Sequence, residues 1–178
     1  RAKRILGWAL AVFVLAILSL YAVFAYQTTK EDPVSLVSCI KVEASWSAWT
    51  CKQALRYAAL TPDQVRDLNM QAGAVYPIMV DDTQQAEELL KLFIARGVDI
   101  NAADSRANNR TALHVAMLGV PSGKVALLLK HGARPDARDA LGMTPLDLAR
   151  RNHNAYPDDP HLPSVIELLE KAGAVSLQ

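Results

Sequence analysis

TALHVA (111–116) returns as TPLDLA (144–149), which places Thr111 and Thr144 33 residues apart. A fixed period near that length marks stacked repeats, each a small helical unit that buries its apolar face against the next. Longer echoes surround the pair. EELLKLFIARGVDINAAD (87–104) matches KVALLLKHGARPDARD (124–139) almost position for position, and SVIELLEKAGAV (164–175) matches both. An array of this kind presents an extended surface rather than a catalytic pocket.

The spacing of these residues resembles the ankyrin repeat, whose unit is a hairpin turn followed by two antiparallel helices. In that family Thr-Pro-Leu-His opens the first helix, a leucine run fills the second, and Gly-Ala ends it. Thr111, Leu113 and His114 fit the opening, with Ala112 in place of the proline. Thr144, Pro145 and Leu146 fit it again, with Asp147 in place of the histidine. Gly97, Gly132 and Gly173 each follow a leucine-rich stretch, where a left-handed residue stops the helix. The resemblance covers residues 83–178 strongly and 60–82 weakly. It implies an all-α solenoid of about three helix-turn-helix repeats with a helical cap before them. Leu89, Leu90, Leu92, Leu127, Leu128, Leu129, Leu168 and Leu169 are then core.

Two departures from the period fall in loops. Gly97 to Gly132 is 35 residues, and the extra pair lies in ADSRANNR (103–110). Gly132 to Gly173 is 41 residues, and the surplus lies in NHNAYPDDPHLP (152–163). Long insertions are often functional, although they are also tolerated without a purpose. By the resemblance, partners meet the hairpin tips and the inner helices. That assigns partner contact to Asp104, Arg106, Asn108, Asn109 and Arg110 in the first finger, and to Arg138, Asp139, Leu141 and Met143 in the second. Arg151, Asn152, Tyr156 and Asp158 extend the surface over the third repeat. Leu141 and Met143 either serve a partner or pack against the neighbouring finger.

No nucleophilic, phosphate-binding or zinc-protease motif is present, and no enzyme class can be defended. No cofactor or small-molecule substrate is implied. His114 falls on the family's structural histidine, which by resemblance braces neighbouring hairpins. His131 sits at a helix carboxyl end, where a cation or donor is favourable. His153 and His161 flank Asp158 and Asp159 in the long loop, and a solvated turn is favoured over a metal site there.

The amino-terminal third is different in kind. Ile5–Tyr26 carries no charge, and its 22 residues would rise about 33 Å as a helix, enough for a hydrocarbon core of about 30 Å. Trp8, Tyr21 and Tyr26 lie near its ends, as interfacial aromatics do. Arg1, Lys3 and Arg4 (the basic flank, 1–4) precede it, so the positive-inside rule places the amino terminus in the cytoplasm. A cleaved signal peptide cut before Tyr26 is the competing reading, but the run is longer than a signal core. Either way residues 31–178 are exported. Beyond residue 30 the chain has 15 basic and 18 acidic residues, which argues against nucleic acid.

Residues 27–43 read as a linker, with Pro33 breaking any helix that enters it. Residues 44–82 read as a helical cap or degenerate first repeat. Within it Thr61 caps a helix that opens on Pro62, runs to about Gln71 and stops at Gly73, before a loop at 74–82. Thr83 caps the next. Cys39 and Cys51 are the only cysteines; in an oxidising compartment they pair, and otherwise they are two buried thiols.

These features predict a non-enzymatic protein-binding domain on a single-pass inner-membrane anchor, with the repeats in a bacterial periplasm. In architecture alone this resembles periplasmic immunity proteins, which neutralise antibacterial effectors such as secreted phospholipases. The alternatives are a structural subunit of a membrane complex and a periplasmic stress-protective protein.

Overall fold

The computed structural model describes residues 8, 12–17, 19–20, 23, 32–42, 46–57 and 60–173. The basic flank 1–4 lies outside them, as does much of the apolar run 5–26. Among the described residues no helix is long and apolar enough to cross a membrane. The chain divides into two compact units, Arg1–Ala59 and Leu60–Gln178.

In the first unit, helix α1 (Pro33–Val42) packs against helix α2 (Trp46–Tyr57). Residues 33–42 of the stretch read as a linker are therefore helical. Pro33 is the first residue of α1, a position that needs no N–H and favours the proline φ. Among the described residues of this unit, Leu36, Val37, Ala54 and Leu55 are the buried aliphatic side chains. A disulfide joins Cys39 of α1 to Cys51 of α2.

The second unit opens with α3 (Pro62–Asn69), and the cap stretch 44–82 is thus shared between the two units. Thr61 caps α3 through a reciprocal box: its hydroxyl accepts from the Gln64 N–H at 3.2 Å, and the Gln64 side chain accepts from the Thr61 N–H at 2.9 Å. The turn after α3 places Ala72, not Gly73, in the left-handed region, at φ 50°. Gly73 is required for a different reason. A Cβ there would lie 2.8 Å from both the Leu68 Cβ and its carbonyl oxygen.

Three helix pairs follow. The inner helices are α4 (Val75–Ile78), α6 (Ala112–Ala116) and α8 (Pro145–Ala155), and the outer helices are α5 (Thr83–Ala95), α7 (Ser122–Lys130) and α9 (Leu162–Lys171). Inner helices pack on inner helices, α4 on α6 and α6 on α8, while α5 packs on α7 and α7 on α9. This is the side-by-side stacking expected of a solenoid. One continuous core results, built from Ile78, Leu90, Leu113, Met117, Val125, Leu128, Leu146, Val165 and Leu169.

The loop expected at 74–82 contains α4. Pro77 is the third residue of α4, where a helix has no partner for the N–H that proline lacks. Asp82, one residue before the expected Thr83, caps α5 by accepting from the Gln85 N–H at 2.6 Å. Gly97, Gly132 and Gly173 stand at φ +95°, +95° and +82°, the left-handed stops their positions require.

Candidate interaction surface

Two hairpins project from the array. The first is an antiparallel ladder, β1 (Ala103–Asp104) on β2 (Arg110–Thr111), with Ala103 opposite Thr111. Its tip turns through Asn108 and Asn109, both left-handed at φ 58° and 52°, a conformation asparagine tolerates better than most residues. The Asp104 carboxylate accepts from the Arg106 N–H at 2.8 Å and lies 3.5 Å from its guanidinium. Asp104 is therefore half-buried and shapes the turn.

The second finger is built on Asp139. One carboxylate oxygen accepts from the N–H groups of Leu141 (2.9 Å) and Met143 (3.0 Å), while its own N–H donates to the Met143 carbonyl at 2.9 Å. The Asp139 side chain is 0 % exposed, with the Arg110 guanidinium 3.6 Å from its other oxygen. Asp139 is thus an internal organiser of the finger and not a contact residue. The Arg110 side chain, the other member of that ion pair, is 23 % exposed. The Ala140 N–H donates to the Asn108 carbonyl at 2.7 Å, so the two fingers are also joined through their backbones.

His114 supplies the third link between them. It is buried, at 0 % exposure. Its Nδ1 accepts from the Thr111 N–H at 3.3 Å, and its Nε2 lies 3.1 Å from the Met143 carbonyl of the next finger. That network assigns the proton to Nε2. Burial pushes the imidazole below the ordinary histidine range, against smaller opposing effects from Met143 and Asp139. A neutral ring suits both bonds. In the third repeat Asp147 takes the same place and holds the Thr144 N–H at 2.9 Å. A carboxylate carries only acceptors, so it reproduces the local cap without a donor to send onward.

Asn101 repeats a device first seen at Asn69. Asn69 donates to the Gly97 carbonyl and accepts from the Asp99 N–H; Asn101 donates to the Gly132 carbonyl (3.1 Å) and accepts from the Arg134 N–H (2.8 Å). Both tie one repeat to the finger base of the next. Their spacing of 32 residues is the signal that would have found them in the sequence. Asn152 is a brace too, donating to the Met117 carbonyl at 2.8 Å, and is half-buried. Met143 packs on the core and is partly buried, whereas Leu141 at the same tip is 62 % exposed.

What remains at the surface is Arg106, Asn108, Asn109, Arg138, Leu141, Arg151, Tyr156 and Asp158, all exposed. Between the finger bases lies an open hollow of about 550 Å³, lined in part by Asn101, Asn109, Arg134, Asp136 and Arg138. Arg134 and Asp136 pair at 3.4 Å, and Arg134 holds the Asp136 carboxyl below its ordinary value. Neither residue stands out in the sequence. Among the described residues no three His, Cys, Asp or Glu side chains group as a metal site.

A family profile described as "Ankyrin repeats (3 copies)" matches residues 78–175, more than half of the chain. The chain belongs to the ankyrin-repeat family. An array of ankyrin repeats is a protein–protein interaction module. The chain is 38 % identical over 66 residues to a Danio rerio protein named palmitoyltransferase ZDHHC17, and 34 % identical over 84 residues to the Lotus japonicus BTB/POZ domain and ankyrin repeat-containing protein NBCL. Those stretches are 37 % and 47 % of this chain, but only 10 % and 17 % of the two relatives.

Proposed function

We propose that this ankyrin array grips its protein partner through the tips of its two fingers, and that it does so as an exported inhibitor tethered to the inner membrane. The observation that carries the finger-tip reading is Leu141. It is an apolar side chain held exposed at the tip of a finger that two hydrogen-bonded links and the Arg110–Asp139 ion pair tie to its neighbour. A rigid apolar knob beside Arg138 and Asn109 gains contact area without the ordering cost of a mobile loop.

Two observations favour export and tethering. The disulfide between Cys39 and Cys51 suits an oxidising compartment. Val12, Phe13, Leu15, Ile17 and Leu20 stand exposed in the apolar run, as side chains that face lipid would. In this reading segment 5–26 spans the inner membrane once, with its amino terminus in the cytoplasm and the repeats in the periplasm. The partner is an effector enzyme that acts at the membrane, such as a secreted phospholipase, and the protein confers immunity by blocking it. Co-expression of the full chain with the product of the neighbouring gene tests this. Rescue from that product's toxicity, lost in Leu141→Asp, is the expected result. Undiminished toxicity with the wild-type chain present refutes the inhibitory role.

A further inference from the structure

We infer that the Cys39–Cys51 disulfide is a redox-sensitive clasp: it keeps the first unit folded, and a dithiol reductant opens that unit while the ankyrin array stays intact. Among its described residues the first unit offers only a small core. Its described helices are 10 and 12 residues long, and helices that short are marginal alone in water. Among the described residues of these helices the buried aliphatic side chains are Leu36, Val37, Ala54 and Leu55, one of them an alanine. Structures this small usually need a covalent staple. The array is a separate compact unit with its own continuous core, so it has no need of this bond.

Cys39 and Cys51 are half-buried, unlike the fully enclosed core of the array. A reductant thiolate attacks one sulfur and expels the other as a thiolate. The reductant's second thiol then resolves the mixed disulfide. The chain gains two thiols and the reductant is oxidised to its own disulfide, with two electrons transferred. Closed, the clasp holds the two Cα atoms 6.3 Å apart across a separation of 12 residues. Opened, the same stretch reaches up to about 40 Å. Redox state therefore sets the length of the spacer that precedes the array in the chain, a consequence that matters only where residues 5–26 are anchored as proposed above.

Limited trypsin digestion of the full chain, with and without dithiothreitol, tests the clasp, since Lys52 and Arg56 both lie in α2. A closed loop of this size shifts local opening by on the order of a hundredfold. The expected result is cleavage at Lys52 and Arg56 that rises by about that factor on reduction, with unchanged cleavage within residues 60–173. A Cys39→Ser/Cys51→Ser chain should behave as the reduced protein without reductant. Equal cleavage at Lys52 and Arg56 in both redox states overturns the inference. So does an array that loosens in parallel, because the bond would then support the whole molecule. Neither outcome depends on any partner, so failure here is distinct from failure of the finger-tip reading.

Discussion

At the scale of single residues, His114 is a fully buried polar group bonded on both sides of its ring. It satisfies the Thr111 N–H behind it and the Met143 carbonyl ahead of it. In His114→Leu the Thr111 N–H loses its partner on the ring and the Met143 carbonyl keeps only the Asp139 N–H, and the cost should be about 1–3 kcal/mol. Urea unfolding at neutral pH measures it. The pH dependence has a definite sign. Burial lowers the folded pKa, so the unfolded chain takes up a proton first as pH falls below the ordinary histidine value of about 6.5. The wild-type protein therefore loses His114's contribution as pH falls through that value toward the depressed one. The gap between wild type and His114→Leu should be wider at pH 7.5 than at pH 5.5. A gap that grows on acidification contradicts the assignment of a neutral, Nε2-protonated ring.

The two apolar residues of the second finger also separate at this scale. Leu141→Asp changes an exposed side chain and should leave stability within about 0.5 kcal/mol. Met143→Asp puts a carboxylate against the core and should cost about 2 kcal/mol or more. Thermal unfolding of the two variants distinguishes them. The sequence placed both at the tip, because position in a motif shows which loop a residue joins but not which way it points. For the same reason the bracing contacts of Asp139, Arg110 and Asn152 did not show in the sequence. Their partners lie 29 to 35 residues away or within a turn whose closure no pattern announces.

At the scale of elements, the outer helices are stitched together by Glu87. Its carboxylate lies 2.8 Å from Lys130, 2.9 Å from Lys91 and 3.3 Å from His131. Lys130 first, then Lys91 and His131, lower its pKa from 4.5 to about 2. The folded carboxyl is thus the stronger acid. Its stabilising effect is present above about pH 4.5 and is lost as pH falls toward 2. Glu87→Gln should lower the melting temperature at pH 7 but make no difference near pH 2. Raising the salt concentration should also shrink the effect at pH 7, since these groups are partly exposed.

Helix stops behave differently from such surface pairs. Gly132 sits at φ +95° with open space where a Cβ would go. Gly132→Ala should therefore cost about 1–2 kcal/mol through backbone strain alone. Glycines at the ends of leucine runs, and Thr-Pro openings such as Thr61-Pro62 and Thr144-Pro145, made most of these elements legible. Helices α1 and α4 escaped because each contains a proline, and proline reads as a breaker until its place in the helix is known. Pro33 is the first residue of α1 and Pro77 the third of α4, where the missing N–H costs nothing.

At the scale of the whole molecule, the period of 33 residues carried the architecture, because a stack needs each repeat to offer the same face to the next. The surface of the stack was less legible. Which polar residues brace the fingers and which stay outside depends on contacts between repeats, and a single repeat does not display them. What the stack leaves exposed is a rigid double finger with Leu141 at its tip and an arginine-bearing hollow at its base. The proposed export adds a prediction of its own: in intact cells Cys39 and Cys51 should resist alkylation until a reductant is added, and free labelling would argue against an oxidising compartment.

Partner capture by the full chain from detergent-solubilised membranes, with wild-type and Leu141→Asp proteins compared by quantitative mass spectrometry, probes the finger-tip claim at its centre. The account predicts a stoichiometric partner on the wild-type chain that falls at least tenfold on Leu141→Asp, a loss of about 1.4 kcal/mol, while the melting temperature stays the same. The same partner held equally by both chains would contradict it.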